Sequence, residues 1–265
     1  MRQQFQVAGP LEASVKLGSG RVSVEPAETG QAWASVEPVD PTHEASAQLA
    51  ARAVITLDGD RLRVEVPDSS RLFRKAEVAV TLGLPAHSGV EVKGGAADIT
   101  VRGGVEALAV KIGAGDVDVD VATQGIAVKA GQTDVRIGSA DSVAVSTGQG
   151  SLTADRLRTA AFKTGQGSVV LGRTDGDVAV KGGMVQLDIR EAGAGAIAFD
   201  TGAGSATVGV AVGTTVELDL MSASGDVRCD LPLESSAPPG GAGLKVRLRT
   251  GSGDLLVRPA TLATV

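Results

Sequence analysis

The strongest constraint on this chain is a repeat of about 18 residues built around Gly-x-Gly-like turns. Taking the first residue of each turn as an anchor places the turns at Gly18, Gly95, Gly113, Gly131, Gly148, Gly165, Gly183, Gly202, Ala223 and Gly251. From Gly95 to Gly202 the intervals are 18, 18, 17, 17, 18 and 19 residues. A period of this size marks a stacked array, and it outranks local propensity in deciding the fold.

The residues three before the anchors are Val15, Val92, Val110, Val128, Val145, Phe162, Val180, Phe199, Leu220 and Leu248. The column five before runs from Ala13 to Val246, the column four after from Val22 to Leu255, and the column six after from Val24 through Cys229 to Val257. All forty positions are apolar in a chain that is 43% apolar, so chance does not explain them. Within each repeat the apolar positions are two apart, the period of a strand with one buried face. Glycine between the strands supplies the backbone freedom that a sharp corner needs.

Each repeat therefore reads as two short strands and two turns. One such unit cannot bury its apolar face alone, but stacking at about 4.8 Å makes four continuous aliphatic columns, and ten rungs would span about 45 Å. The expected fold is all-β: a β-solenoid, or β-helix-like array, in a single domain over 1–265. Its regular part is 90–230, preceded by N-terminal strands and degenerate repeats over 1–89 and followed by a loop and final repeat over 231–265.

The ends deviate from the pattern. Ala53 to Val64, with Ile55, Leu62 and Val64 around Asp58-Gly59-Asp60, reads as an eleventh, degenerate unit. The stretch near 41–51, after Asp40, reads as a short capped helix with Ala45 and Leu49 on one face. It is a candidate cap, because an open solenoid edge invites aggregation. Ser235 to Gly241, with Pro238 and Pro239, reads as an exposed loop.

Composition narrows the core and the partners. The 36 glycines follow no Gly-X-Y period, which excludes collagen. Phe5, Trp33, Phe73, Phe162 and Phe199 are the only aromatic residues, so the interior must be built from Val, Leu, Ile and Ala. A net charge of −6 argues against nucleic acid as a partner. The lone Cys229 cannot form an internal disulfide. No apolar run reaches the roughly 18 residues of a transmembrane segment, and the N-terminus lacks a signal-peptide pattern, so the expected location is cytoplasmic.

The block Val110 to Val119 (VKIGAGDVDV), its counterpart Val145 to Ala154 (VSTGQGSLTA) and the step Leu82 to Val90 (LGLPAHSGV) resemble the bacterial "putative adhesin" family of β-strand-repeat proteins, a family of unknown function. The resemblance covers most of the chain. It implies a β-helix-like, right-handed solenoid and says little about activity.

Chemistry-bearing groupings are scarce. Gly113-Ala114-Gly115 lacks the third glycine and the following helix of a dinucleotide fingerprint. Asp98, Asp116, Asp134, Asp226 and Asp254 sit three after their anchors, but calcium nonapeptide arrays have half this period and a fuller ligand set. Solvated turn residues account for them, and no metal or other cofactor is expected. His43 and His87 join no Ser-His-acid or Cys-His grouping, and no catalytic residue can be assigned. Cys229 occupies a core column and reads as a small buried apolar residue. With Phe162 and Phe199 inward, Trp33 and Phe73 are the uncommitted aromatics, so glycan binding is doubtful. Arg71, Arg74 and Lys75 beside Phe73 read as an ordinary loop.

One outward column stands apart. Two before the anchors come Lys16, Lys93, Lys111, Lys129, Ser146, Lys163, Lys181, Asp200, Met221 and Arg249. Consecutive lysines at strand spacing repel unless carboxylates or an anionic ligand compensate, and Asp98, Asp116 and Asp134 across the turn are the expected compensation. Lys93, Lys111, Lys129, Lys163 and Lys181 are the candidate anion- or partner-binding strip. The function expected is a non-enzymatic scaffold or protein-binding module that engages a protein or self-associates. The alternatives are an envelope-associated adhesin and a carbohydrate-active β-helix enzyme.

Overall fold

The computed structural model describes residues 1–67, 76–232 and 243–260. The loop expected at Ser235 to Gly241 and the cluster Arg71, Phe73, Arg74 and Lys75 lie outside them. The chain forms two compact units, Met1–Asp134 and Val135–Val265.

In the first unit, β2 (Glu12–Pro26), β7 (Gly89–Ala114) and the start of β8 (Val117–Thr174) stack in parallel. The register follows the repeat: Val15 lies beside Val92, Val22 beside Ile99, Ile99 beside Val117, and Val110 beside Val128. In the second unit the remainder of β8 stacks on β9 (Val178–Ala192), and β9 on β10 (Gly195–Ala203) and β11 (Ala206–Val210). The fold is a β-solenoid, as the alternation predicts.

Thirty-six of the forty expected inward residues are buried. Phe162 and Phe199 are both 1% exposed, as their column requires. A fifth inward column completes the second corner: Val105, Ala122, Ala140, Leu157, Thr174, Ala192 and Val210. Its distance from the anchor drifts between eight and ten residues, so a fixed-offset reading passes over it.

The turn itself follows a compensation rule. Where the residue before the anchor has a side chain, the residue two after it is often glycine: Leu17 with Gly20, Ile112 with Gly115, Thr201 with Gly204. Where the first is glycine, the second fills the space: Gly94 with Ala97 (2% exposed) and Gly182 with Val185 (1%). Gly115 shows why. Its φ is +136°, and a Cβ there would sit 2.0 Å from the carbonyl oxygen of Ala97 in the neighbouring rung.

The N-terminal end is finished by antiparallel strands. β5 (Arg61–Glu65) and β6 (Val78–Leu84) form one parallel rung against β2. β4 (Val54–Asp58) folds back antiparallel on β5, β3 (Gln31–Pro38) on β6, and β1 (Arg2–Gln6) on β3. Ala53 to Val64 is thus not a degenerate strand-turn-strand rung but a hairpin, of which β5 alone joins the parallel stack. The helix α1 spans Glu44–Ala51 and packs on β3 and β6. Its buried residues are Ser46, Leu49 and Ala50, whereas Ala45 is only partly covered. Asp40 does not cap it; that carboxylate accepts the Thr42 N–H and hydroxyl at 2.9 and 2.7 Å.

At the other end of the chain, stacking order departs from sequence order. β14 (Leu244–Ser252) and β15 (Leu255–Pro259) lie directly on β10 and β11. β12 (Val216–Ser222) and β13 (Val227–Cys229), which precede them in sequence, stack on their far side. The last repeat is inserted before the penultimate one. The four exceptions to burial all belong to this outermost rung: Leu218, Leu220 and Cys229 are partly exposed, and Val227 is 48% exposed. The expectation of a buried Cys229 fails because, among the described residues, its rung has a neighbour on one side only.

Candidate binding surface

The lysine column follows from strand alternation: with Val92 and Val110 inward, Lys93 and Lys111 must point out. In the first unit Lys16 pairs in register with Lys93, and Lys111 with Lys129. Gly113 stacks on Gly95, where an added Cβ would lie 2.6 Å from the Gly95 carbonyl oxygen, so the four lysines follow one another on successive rungs. In the second unit Lys163 pairs in register with Lys181, which is followed by Asp200 and then Arg249. Lys93, Lys111, Lys129, Lys163 and Lys181 are all exposed.

The compensation is not the one expected. Lys93 pairs with Glu91 at 2.6 Å rather than with Asp98. Asp98 instead accepts the backbone N–H of Asp116 at 3.1 Å, and Asp254 accepts that of Asp226 at 2.9 Å. Acidic turn residues of this column thus tie neighbouring rungs together. Among the described residues no carboxylate lies within 4 Å of the ammonium of Lys111, Lys129, Lys163 or Lys181. On the same face, two residues earlier in each strand, stand Ala109, Ala127, Ala161 and Ala179. Within each unit the lysines are therefore flanked on their own face by the methyl groups of two alanines.

Several other surface groups are committed to structure. Arg102 bridges Asp118 and Asp120 at 3.2 and 2.8 Å, and those hydrogen bonds hold its guanidinium above the usual arginine range. Arg158 clasps Asp141 at 2.5 and 2.6 Å, which holds that carboxyl below the usual carboxylate range. Trp33 packs over Gly83, where a Cβ would meet its Nε1 at 2.0 Å, and Arg2 stacks on its ring at 4.3 Å. The indole is consumed by the N-terminal cap.

A cleft of about 240 Å³ in the first unit is lined by Pro26, Pro85, His87, Arg102 and Thr123, among others. His87 holds a left-handed φ of 62° there. Beside it, Ser88 donates to the Pro85 carbonyl at 2.8 Å and accepts the Leu11 N–H at 3.0 Å. The other imidazole, His43, meets the Ser46 hydroxyl at 2.8 Å, but Ser46 is 2% exposed and also accepts the Glu77 N–H. Ser88 ties its turn to the residue before β2, and Ser46 ties α1 to the residue before β6. Among the described residues no cluster of three or more His, Cys, Asp or Glu side chains is arranged to hold a metal, and no helix is long and apolar enough to cross a membrane.

The lysines were visible in the sequence; their true partners were not. Glu91 sits two residues before Lys93 on the same strand face, a signal as simple as the alternation itself. What sequence reasoning missed altogether is the exposed rung of β12 and β13, because its apolar pattern equals that of its buried relatives.

Among solved structures, the chain is similar to a "putative adhesin" from Bacteroides fragilis (13% identity, TM-score 0.44, 97% of this chain and 96% of that one). It is also similar to a "putative cell adhesion protein" from Clostridium sporogenes (11%, 0.20, 98% and 99%). A third is a "putative lipid binding protein" from Parabacteroides distasonis (9%, 0.30, 98% and 96%). No curated protein matches the chain. The Toastrack DUF4097 family model matches residues 15–258, nearly the whole repeat array and both of its ends, so the chain belongs to the Toastrack DUF4097 family.

Proposed function

We propose that the chain is a non-enzymatic binding module whose lysine-bearing face engages the acidic surface of another protein. The observation that carries this reading is the in-register pair Lys111 and Lys129, without a carboxylate within 4 Å among the described residues. Like charges directly opposite one another on a sheet are destabilising, on the order of 0.2–1 kcal/mol per pair. A partner that supplies carboxylates removes that penalty. The interior supports the same reading, since inward side chains fill the rungs and leave the outer faces as the contact area.

The test uses immobilised polyglutamate as an extended acidic probe. The unmodified chain is retained at about 0.05 M salt and released near 0.5 M, where screening confines charge attraction to a few ångströms. Replacing Lys93, Lys111 and Lys129 together by Glu abolishes retention while leaving the exposed side chains' rungs folded, as read by circular dichroism. Unchanged retention of the triple variant, or no retention of the unmodified chain, sinks the reading.

A further inference from the structure

The outermost rung of the second unit is the place where the packing logic of this chain stops. β12 hydrogen-bonds to β14 and β13 to β15, and among the described residues neither has a strand on its other side. Half of the backbone N–H and C=O groups of β12 therefore face outward with no strand to meet them. Beneath that edge the inward residues Leu218 and Leu220 are only partly covered, Met221 is 55% exposed and Val227 is 48% exposed.

Charge decides what such an edge accepts. The outward residues Glu217 and Asp219 of β12 face the basic residues of β14 next to it. Lys245 lies 3.7 Å from Glu217, and Arg247 and Arg249 lie 3.6 and 3.0 Å from Asp219. β14 alternates apolar and basic residues, Leu244-Lys245-Val246-Arg247-Leu248-Arg249, with the apolar set inward. These carboxylates remain half to two-thirds exposed beside it, so the free side of β12 offers the same acidic rim over the same aliphatic step. A second copy of the chain fits poorly. The fully overlapped antiparallel register of two β12 edges sets Asp219 against Asp219, and like charges directly opposite are unfavourable.

We infer that the free edge of β12 is a strand-addition site for an extended partner segment in which apolar and basic residues alternate, as they do in β14. Main-chain hydrogen bonds to the unpaired edge supply affinity, and the match of basic side chains to Glu217 and Asp219 supplies selectivity. Met221, unbranched and exposed in the same outward row as the two carboxylates, packs along the aliphatic stem of the basic residue that lands beside it. Met221 and Arg249 share the outward column of the lysines, but the groups that select the partner here are carboxylates, opposite in charge to the lysine face.

The probe is a fluorescent seven-residue peptide, VKVRVKV, titrated into the full chain, with the block-ordered peptide VVVVKRK as the composition-matched control. The alternating peptide binds at least about tenfold more tightly than the control, the sum of several cross-strand pairs that the control cannot form together. Backbone amides of 216–222 exchange more slowly in its presence. Met221→Lys, at an exposed side chain, weakens the alternating peptide and leaves the control unchanged. Equal affinities for the two peptides, or protection that falls on other strands, overturns the inference without reference to any variant. A concentration-dependent dimer that Met221→Lys dissolves, seen by light scattering, also overturns it, by giving the edge to a second copy.

Discussion

The rung at Gly165 and the rung at Ala223 carry the same apolar alternation and meet opposite fates. In the first, Ala160, Phe162, Val169 and Leu171 are at most 5% exposed. In the second, Leu218, Leu220 and Cys229 are partly exposed and Val227 is 48% exposed. Neither composition nor strand pattern separates them; the number of neighbouring rungs does. Burial in a solenoid is a property of the stack, so the same residue type is worth far more in the middle than at the edge.

A pair of leucines breaks or sharpens that contrast most directly. Leu152 is fully buried in an inward column, and truncation to Ala costs about 3 kcal/mol through lost transfer energy and the cavity left behind. Leu220→Ala, at a residue already partly in water, costs under about 1 kcal/mol. Urea unfolding followed by far-ultraviolet circular dichroism measures both. Equal losses would mean that the terminal rung is covered in solution, and the comparison would fail.

Two buried threonines pose the same question at smaller scale. Thr164 is 7% exposed; its hydroxyl donates to the Gln166 carbonyl at 2.9 Å, with the Gly148 carbonyl of the preceding rung at 3.3 Å. Thr147, Thr201 and Thr250 close their own turns in the same way. Thr174, in the fifth column, is 0% exposed and its hydroxyl has no hydrogen-bond partner among the described residues. One substitution therefore has two signs: Thr164→Val loses about 1–2 kcal/mol, whereas Thr174→Val gains about 0.5–1 kcal/mol by removing an unsatisfied group. Calorimetric melting of the two variants reads this as shifts in opposite directions, and a shared direction would show that the hydroxyls do not decide the outcome.

The four inward columns were legible in the sequence because strand alternation and the anchor spacing both constrain them, and they agree at forty positions. The fifth was not, since Val105, Ala122 and Val210 lie at different distances from their anchors. The compensation of Gly94 by Ala97 and of Gly182 by Val185 was readable in principle, as a volume conserved across three residues. The swapped order of the last two rungs was hidden for a physical reason. Every rung offers the next one the same apolar alternation, so pairing partners are interchangeable in pattern. What distinguishes β14 as the inner rung is its basic outer row facing Glu217 and Asp219, a cross-strand signal that becomes visible once a pairing is assumed. The outward lysine column was legible for the same reason as the core, whereas the pairing of Lys93 with Glu91, two residues earlier on the same strand, was not expected.

The smallest expected effect concerns charge at the second corner, where Arg158 and Asp141 clasp each other on neighbouring rungs of the second unit. The hydrogen bonds from Arg158 hold the Asp141 carboxyl below its ordinary range, against a weaker opposing effect of desolvation. A carboxyl whose folded pKa is depressed contributes stability above its unfolded pKa and loses it as pH falls through the folded one. The pair's contribution is therefore present at neutral pH and disappears on the acid side of the usual carboxylate range, about 4. Because both groups are solvent-exposed, the effect is smaller than that of either threonine substitution. Urea midpoints of the unmodified chain and Asp141→Asn, measured from about pH 7 down to about pH 2.5, should differ at the upper end and converge at the lower. A gap that stays constant across that range would show that the side chain matters at this corner through packing rather than charge.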